Sequence, residues 1–388
     1  MFQLNESVMK RFMLILCLLM MIFIGCGKKA EEQVQVVLID GVRHIKNPET
    51  PLKGTVVLEV EKIFEINPYE HEEVGLKSFN SVRDKDGEVI LFDINNSEAQ
   101  RFADDGEYLG SLFRKGQGPG EFTERALLYV RFINGGIWVT GRQKLAIFDK
   151  EGQFVEEFHI GDSIAHFINK NQYVTDKRTR KDQDQIKQIM LKNIKEKHEI
   201  SEGPIFMEGK NLGMLRNPSG GGAFGDQWGT PDIVYAVDRE MKKIYLAKNT
   251  EQKIHVKDLD GNTLYIIENP HARVKISLKE KEDLLEWMLK DGRSKWALKV
   301  YPDELVAFTK MKVLPRGCLA VSRVSGLKKI EIDIFDSEGR FIYILELPEN
   351  ISLERADFYD FGFTTVEDKD DMPVYVEYRI KNLSKIFN

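Results

Sequence analysis

The sequence has 388 residues, of which 42% are hydrophobic and 30% are charged, and its formal net charge is −6. This composition is typical of a water-soluble body with a packed core, and its mildly acidic, interspersed charges argue against a nucleic-acid partner. The three cysteines, Cys17, Cys26 and Cys318, exclude a disulfide framework and a zinc site of CxxC spacing.

The N-terminus has the pattern of a targeting signal. Lys10 and Arg11 precede an apolar run over residues 12–24, which is too short to span a bilayer and ends at Gly25-Cys26. The pattern resembles a bacterial lipoprotein signal, which implies that residues 1–25 are a signal peptide and that Cys26 is lipidated. Because Gly27 rather than an aspartate follows Cys26, the resemblance also implies an extracytoplasmic protein anchored at the outer membrane.

Residues 26–54 are predicted to form a tether with one small hairpin. Two short apolar runs, over residues 36–39 and 42–45, flank Asp40-Gly41, a dipeptide typical of hairpin turns. Prolines at positions 48 and 51 then interrupt the pattern. Residues 56–66 are a strand candidate without a hairpin partner of their own.

From residue 78 onward the chain falls into units of about 40–45 residues, the period of propeller blades. A turn built around Asp and Gly recurs at residues 104–106, 149–152, 258–261 and 336–339, each time between two apolar runs. The sixth unit is short of strands. We expect the strand at 56–66 to join that unit and close a ring, since closure removes exposed sheet edges.

The fold prediction is therefore an all-β, six-bladed β-propeller over residues 55–388. It includes one helical insertion at about 277–292, where Ser277 and Glu280 form a capping box. The segment from Arg101 to Phe122, with its Gly-Gln-Gly-Pro-Gly-Glu-Phe end, the Asn47-Pro48 pair and the signal resemble NHL-repeat-related six-bladed β-propeller lipoproteins of bacteria. This resemblance implies a fold and a place in the cell envelope, and no agreed activity.

Strand parity predicts which face of the ring carries the function. Loops between second and third strands and connections between blades share one face, and the long excursions at 177–187, 201–232 and 268–304 all belong to it. Elaborated loops on a rigid scaffold usually mark the working surface. A mixed aromatic and basic surface is expected there, formed by Arg114, Arg142, Phe224, Trp228 and Arg323.

Other motifs are interpreted as structural. Gly116 to Gly120 lacks the Gly-Lys-Ser/Thr of a phosphate loop and is expected to be a shaped blade connection. The seven histidines show no metal-binding spacing, so no cofactor and no catalytic residue is assigned, although an axial divalent metal stays open.

The sequence favours a lipid-anchored binding or scaffold module that recognises a protein, peptide or glycan on the elaborated face. The first alternative is a propeller enzyme, lactonase- or lyase-like, with a metal on the central axis. The second is a purely structural envelope protein. The oligomeric state and the ligand are left open.

Overall fold

A computed structural model describes residues 33–387 except 77, 94–95, 124–128, 142–143, 161–165, 182–183, 196–198, 211–212, 217–222, 291–294, 350, 352–354, 360 and 370–371. The predicted signal peptide and Cys26 lie outside the described residues. No helix among those described is long and apolar enough to cross a membrane.

Four strands precede the repeating units. They are β1 (Gln35–Ile39), β2 (Val42–Lys46), β3 (Thr55–Val57) and β4 (Val60–Ile66). The expected hairpin is present, because β1 and β2 pair in antiparallel register across Asp40-Gly41.

The first three units each form a four-stranded antiparallel sheet. The first sheet contains β5 (Asn80–Arg83), β6 (Val89–Asp93), β7 (Glu98–Phe102) and β8 (Tyr108–Ser111). The second contains β9 (Tyr129–Ile133), β10 (Gly136–Gly141), β11 (Lys144–Phe148) and β12 (Phe154–His159). The third contains β13 (His166–Asn169), β14 (Gln172–Lys181), β15 (Asp184–Ile194) and β16 (Ile200–Lys210).

A small two-stranded ribbon, β17 (Leu215–Arg216) with β18 (Ala223–Phe224), precedes the last three units. The fourth unit contains β19 (Ile233–Asp238), β20 (Lys243–Lys248), β21 (Lys253–Asp258) and β22 (Thr263–Glu268). The fifth contains β23 (Phe308–Val313), β24 (Leu319–Gly326), β25 (Lys329–Phe335) and β26 (Phe341–Glu346). The sixth contains β27 (Asp357–Tyr359), β28 (Gly362–Lys369) and β29 (Met372–Ile380).

The N-terminal strands complete and reinforce this ring. Strand β4 pairs antiparallel with β29 and supplies the missing outer strand of the sixth sheet, as the sequence predicted. The molecule is therefore a six-bladed β-propeller whose last blade combines both ends of the chain.

The segment before β4 is a set of added edge strands rather than a free tether. Strand β2 pairs in parallel with β22 of blade four, and β3 pairs in parallel with β26 of blade five. Residues 56 and 57, expected to belong to the closing strand at 56–66, thus belong to a different blade. Asn47 joins the two blades, since its side chain accepts from the N–H of Phe341 (2.8 Å) and donates to the carbonyl of Gly339 (3.0 Å).

The hydrophobic core lies between adjacent blades. In blade one, all five residues of the second strand, β6, are buried. One cluster joins blades one and two through Ile90, Phe92, Val139 and Phe148. A strand covered on both sides is apolar on both faces, and β6 accordingly begins with four apolar residues in a row, whereas β25 alternates apolar and polar residues.

The recurrent Asp-Gly turns connect the third and fourth strands. In the turns at 149–152, 258–261 and 336–339, the Asp carboxylate accepts a backbone N–H four residues on, for example from Gln153 to Asp149 (2.7 Å) and from Arg340 to Asp336 (2.9 Å). Gly339 has φ 86°, the left-handed region that glycine tolerates best. The repeat in the sequence is thus a repeated side-chain-locked turn.

Two loop expectations were wrong in detail. The charged segment at 177–187 is not a loop, because β14 and β15 continue their pairing through it, with Arg178 opposite Lys187. Residues 201–210 are the outer strand β16 and not part of a blade connection. At 10 and 11 residues, β14 and β15 are long strands whose end projects from the ring. The charges there are paired, Lys177 with Glu202 and the buried Lys187 with Asp232.

The helical insertion consists of short helices rather than one. They are α1 (Leu278–Leu284), α2 (Glu286–Leu289) and α3 (Trp296–Val300), and α4 (Leu383–Phe387) lies near the C-terminus. The capping box at Ser277 and Glu280 is present. The backbone leaves helical geometry at Leu285 (ψ 8°), which separates α1 from α2.

Candidate functional site

Chain direction defines two faces of the propeller. On the loop face lie the blade connections, including residues 211–232 between blades three and four and residues 269–307 between blades four and five. On the turn face lie the short Asp-Gly turns and the first-to-second turns. The projecting end of blade three also rises on the loop face, so the elaborations that the structure describes share it.

The connection before blade four is held rigidly by hydrogen bonds. Asp226 accepts the backbone N–H groups of Trp228 (3.1 Å) and Gly229 (2.7 Å), and its other carboxylate oxygen accepts the Tyr301 hydroxyl (2.8 Å). Asn249, on the neighbouring second-to-third loop, donates to the carbonyl of Thr230 (3.0 Å) and accepts the N–H of Asp232 (2.8 Å). These bonds make residues 225–232 a fixed wall.

Residues 225–232 form one side of a cavity of about 490 Å³ that is open to solvent on the loop face. It is lined by Gly213, Met214, Gly225, Asp226, Gln227, Thr230, Asp232, Val234, Asn249 and Thr309. Val234 and Thr309 belong to the innermost strands β19 and β23, so the cavity lies beside the propeller axis.

The Thr309 hydroxyl is buried and has no hydrogen-bond partner within the described part of the chain. An unpartnered buried hydroxyl is costly and is typical of a site built for something else.

Three rings on the innermost strands of blades two, three and four lie next to one another. His166 lies between Tyr129 and Tyr235, with ring centroids 6.4 Å and 5.3 Å away. Burial, and then the charges of Arg131 and Arg239, lower the pKa of His166 to about 4, so the imidazole is neutral at pH 7. Burial, then the charges of Asp176 and other neighbours, raises the pKa of Tyr235, which keeps its hydroxyl protonated.

A buried ion pair lies beside the channel mouth, which consists of the loop-face cavity and the neighbouring rings of Tyr129, His166 and Tyr235. Lys187 is buried and donates to Asp232 at 2.7 Å, and Asp176 lies 3.8 Å from the same ammonium. One cation thus faces two carboxylates between blade three and the cavity wall. The mouth therefore offers aromatic faces, hydroxyls, amides and carboxylate oxygens, a set that suits a polar, uncharged or cationic ligand.

The Gly-Gln-Gly-Pro-Gly segment is a locked connection, as expected. The N–H of Gly118 donates to the Glu121 carboxylate (2.9 Å), and the N–H of Gly120 donates to Glu157 (2.7 Å). A Cβ at position 116 would overlap the carboxylate of Glu121. Since the chain's own carboxylates take these N–H groups, the segment does not cradle a phosphate.

The residues predicted for the binding surface are placed apart. Arg114 is exposed on the connection between blades one and two. Trp228 is partly buried against the helix cluster that includes Leu285 and Tyr301. Arg142 and the side chain of Phe224 lie outside what the structure describes.

Arg323 is used internally. Its guanidinium, only 7% exposed, donates to the fully buried Asp333 (2.6 Å) and to Glu331 (2.7 Å). Among the contacts of the described residues, none joins Arg114, Trp228 and Arg323 into one cluster. The aromatic and basic surface proposed from the sequence is therefore not assembled by these three.

Sequence reasoning missed the residues around the cavity. These residues come from three separate parts of the chain: Asp226 and Asp232 from the connection before β19, Asn249 from the loop after β20, and Thr309 from β23. No local spacing connects the three parts. Among the residues that the structure describes, no group of three or more His, Cys, Asp or Glu side chains could hold a metal ion.

The comparison with protein-family models agrees with this class of fold. Residues 69–215 match a family model described as a 6-bladed beta-propeller. No curated protein matches the chain.

Solved structures give similarities of low identity. A candidate exported protein from Bacteroides fragilis is 14% identical over 87% of this chain and 99% of its own, with a TM-score of 0.49. A member of the DUF4221 family from Bacteroides vulgatus is 10% identical over 84% and 98%, with a TM-score of 0.49. Virginiamycin B lyase from Staphylococcus aureus is 10% identical over 83% and 100%, with a TM-score of 0.40. At these scores the likenesses carry no argument about what this chain binds or does.

Proposed function

We propose that this propeller is an extracytoplasmic binding protein that takes a short polar segment of a glycan, peptide or protein in the loop-face cavity. The observation that carries the proposal is the cavity of about 490 Å³, set beside the axis and walled by the hydrogen-bonded residues 225–232. Its size is within the range of pockets for small ligands, roughly 300–1,000 Å³. A rigid wall lowers the entropy lost on binding.

The location belongs to the same proposal and rests on the N-terminal signal pattern. Residues 1–25 are proposed to be removed and Cys26 to be lipidated, which places the propeller outside the cytoplasm at the outer membrane. A Cys26→Ala variant is expected to leave the membrane fraction and to lose incorporation of labelled fatty acid. Unchanged fractionation and labelling would contradict the anchor without affecting the cavity.

The binding proposal is tested with a single isosteric change. Thr309→Val removes the unpartnered hydroxyl while keeping the shape of the side chain, so the folded state is expected to gain about 1 kcal/mol. If that hydroxyl serves a ligand, affinity falls while stability rises, the usual conflict at functional sites.

The assay is a thermal-shift screen of soluble oligosaccharides and short peptides with the chain from residue 33, followed by titration of any hit. The matched control is Lys170→Ala, in a cavity of about 410 Å³ on the turn face. A hit that Thr309→Val weakens and Lys170→Ala leaves unchanged supports the proposal. A hit that Lys170→Ala weakens and Thr309→Val leaves unchanged would contradict the proposal and indicate a site on the turn face.

A further inference from the structure

Strand β1 forms the outer edge of the blade-four sheet. The order of strands in that sheet is β1-β2-β22-β21-β20-β19, and no other described strand pairs with the outer side of β1. Val36 and Leu38 on this strand are 62% and 69% exposed, although both side chains are apolar. The rim of blade four therefore presents an open strand edge together with exposed apolar side chains.

The hairpin turn determines which backbone groups of β1 face outward. Asp40 and Gly41 both have positive φ, 48° and 80°, as in the two-residue type I′ turn. Ile39 and Val42 flank that turn and face each other as a hydrogen-bonded pair, and hydrogen-bonded pairs alternate along an antiparallel ladder. The N–H and C=O groups of residues 36 and 38 therefore point away from β2, toward the free edge.

Strand β1 lacks the features that protect the outer strands of the other blades. Native edge strands are usually charged, very short, or interrupted by proline or a bulge. The outer strands β4, β12 and β16 carry charged residues, and β8 and β3 have only four and three residues. Residues 33–39 contain no charged residue, proline or glycine, and β1 pairs with β2 without a bulge. An edge of this kind is a template for a further strand.

The sequence of β1 is complementary to itself. When two β1 strands pair antiparallel with Val37 at the centre, Val36 of each copy lies opposite Leu38 of the other. These are the residues whose backbone groups face the free edge, so the hydrogen bonds and the apolar contacts form at the same positions. The remaining facing pairs bring no two charges together: Gln35 with Ile39 and Val34 with Asp40.

We propose that a second copy of this chain covers β1, so that two copies form a two-fold dimer through this strand. The two blade-four sheets then join into one sheet, to which each copy contributes six strands. A two-fold axis at Val37 gives a closed, isologous interface. One strand pair buries less than the roughly 1,600 Å² of a standard stable interface, so the dimer exchanges with monomer. The rim lies outside the loop-face cavity, and the dimer does not depend on what that cavity binds.

Oxidative cross-linking of the full chain tests the register of this pairing. With copper phenanthroline as the oxidant, Val37→Cys is expected to give a disulfide-linked dimer on a non-reducing gel, because the two copies of position 37 face each other. The matched control is Gln35→Cys on the same strand. Its two copies lie about 13 Å apart along the strands and should not cross-link. Equal cross-linking of both variants, or none with Val37→Cys, would overturn the proposal.

Paired charge substitutions test whether Val36 faces Leu38 of the second copy. Val36→Lys with Leu38→Lys places like charges opposite each other twice and should weaken the dimer about tenfold or more. Val36→Lys with Leu38→Glu introduces as many charges but places opposite charges together, so it should retain the dimer. The measurement is sedimentation equilibrium of the full chain in density-matched detergent.

Both double variants should keep the wild-type melting temperature, because positions 36 and 38 are exposed on an edge strand. Equal dissociation constants for the two double variants would contradict the register. A wild-type chain that stays monomeric would overturn the dimer. If that monomer also bound phosphatidylethanolamine–phosphatidylglycerol vesicles, and the double-lysine variant bound them less, the strand would be assigned to a lipid surface instead.

Discussion

Substitution of a buried charged residue is expected to lower the stability of this propeller strongly, and Arg323 is the clearest example. Its guanidinium meets Asp333, which is 0% exposed, through bonds of 2.6 and 3.1 Å. Removing one partner leaves a charge uncompensated in the core. We expect Arg323→Met to cost about 3–5 kcal/mol, measured by urea denaturation.

The matched control for this pair is Arg340→Met. Arg340 also pairs with an aspartate, Asp336, but its side chain is 48% exposed. An exposed pair is worth about 0–1 kcal/mol, so this variant should lose little. The double variant Arg323→Met with Asp333→Leu should recover much of the loss, and equal losses for both arginines would contradict the buried pair.

His166 gives a prediction about pH. Its folded-state pKa of about 4 is below its ordinary value of 6.5, mainly because of burial and then because of Arg131 and Arg239. The unfolded chain therefore binds a proton in the window between those values and the folded chain does not. The free energy of unfolding is therefore expected to decrease as the pH falls from 6.5 to about 4, by up to about 1.4 kcal/mol per pH unit.

The measurement is an NMR titration of the imidazole, which is flanked by Tyr129 and Tyr235 and acted on by the two arginines. The pKa should rise in Arg131→Gln, since one repelling charge is removed. His166→Gln should remove this part of the pH dependence of unfolding. An imidazole that titrates near 6.5 in the wild type would contradict the described surroundings.

At the scale of elements, the N-terminal segment stabilises blades that it precedes by 200 or more residues. Asn47 is 7% exposed and bonds the backbone of Gly339 and Phe341. We expect Asn47→Ala to cost about 2–3 kcal/mol in chemical denaturation, because two buried backbone groups lose their partners. Asn67→Ala is the control: Asn67 caps a short exposed turn through the N–H of Tyr69 (3.2 Å), and its loss should cost about 1 kcal/mol or less.

The same segment shows what sequence patterns can and cannot predict. The Asp40-Gly41 hairpin was predictable because the turn chemistry is local. Its pairing with β22 was not, because parallel pairing between strands more than 200 residues apart leaves no local signal. The charged end of blade three was mistaken for a loop because its run of charged residues has no alternating apolar pattern, although Ile186 and Lys187 are buried in the structure.

For candidate site residues, strand parity predicted the side of the ring but not the depth of a side chain. Parity placed Arg323 and Trp228 beside the loop face. It could not show that Asp333 lies opposite Arg323 or that helices α1 to α3 cover Trp228. The cavity residues come from separate connections, so only the folded ring brings them together.

At the scale of the whole molecule, closure through β4 holds the ring together. A chain lacking residues 1–46 loses only the added hairpin and should still unfold in one cooperative transition. A chain lacking residues 1–66 also loses β4, exposing the edge of β29, and should aggregate or lose cooperative melting in calorimetry. Similar melting of both chains would contradict closure by this strand.

The central claim is that the loop-face cavity beside the axis binds a ligand. Hydrogen–deuterium exchange of the chain from residue 33, with and without the best screening hit, tests this most directly. The account predicts slower exchange in residues 225–234 and at 309, with the turn-face residues 169–172 unchanged. Protection confined to residues 169–172, with none at the cavity wall, would contradict it.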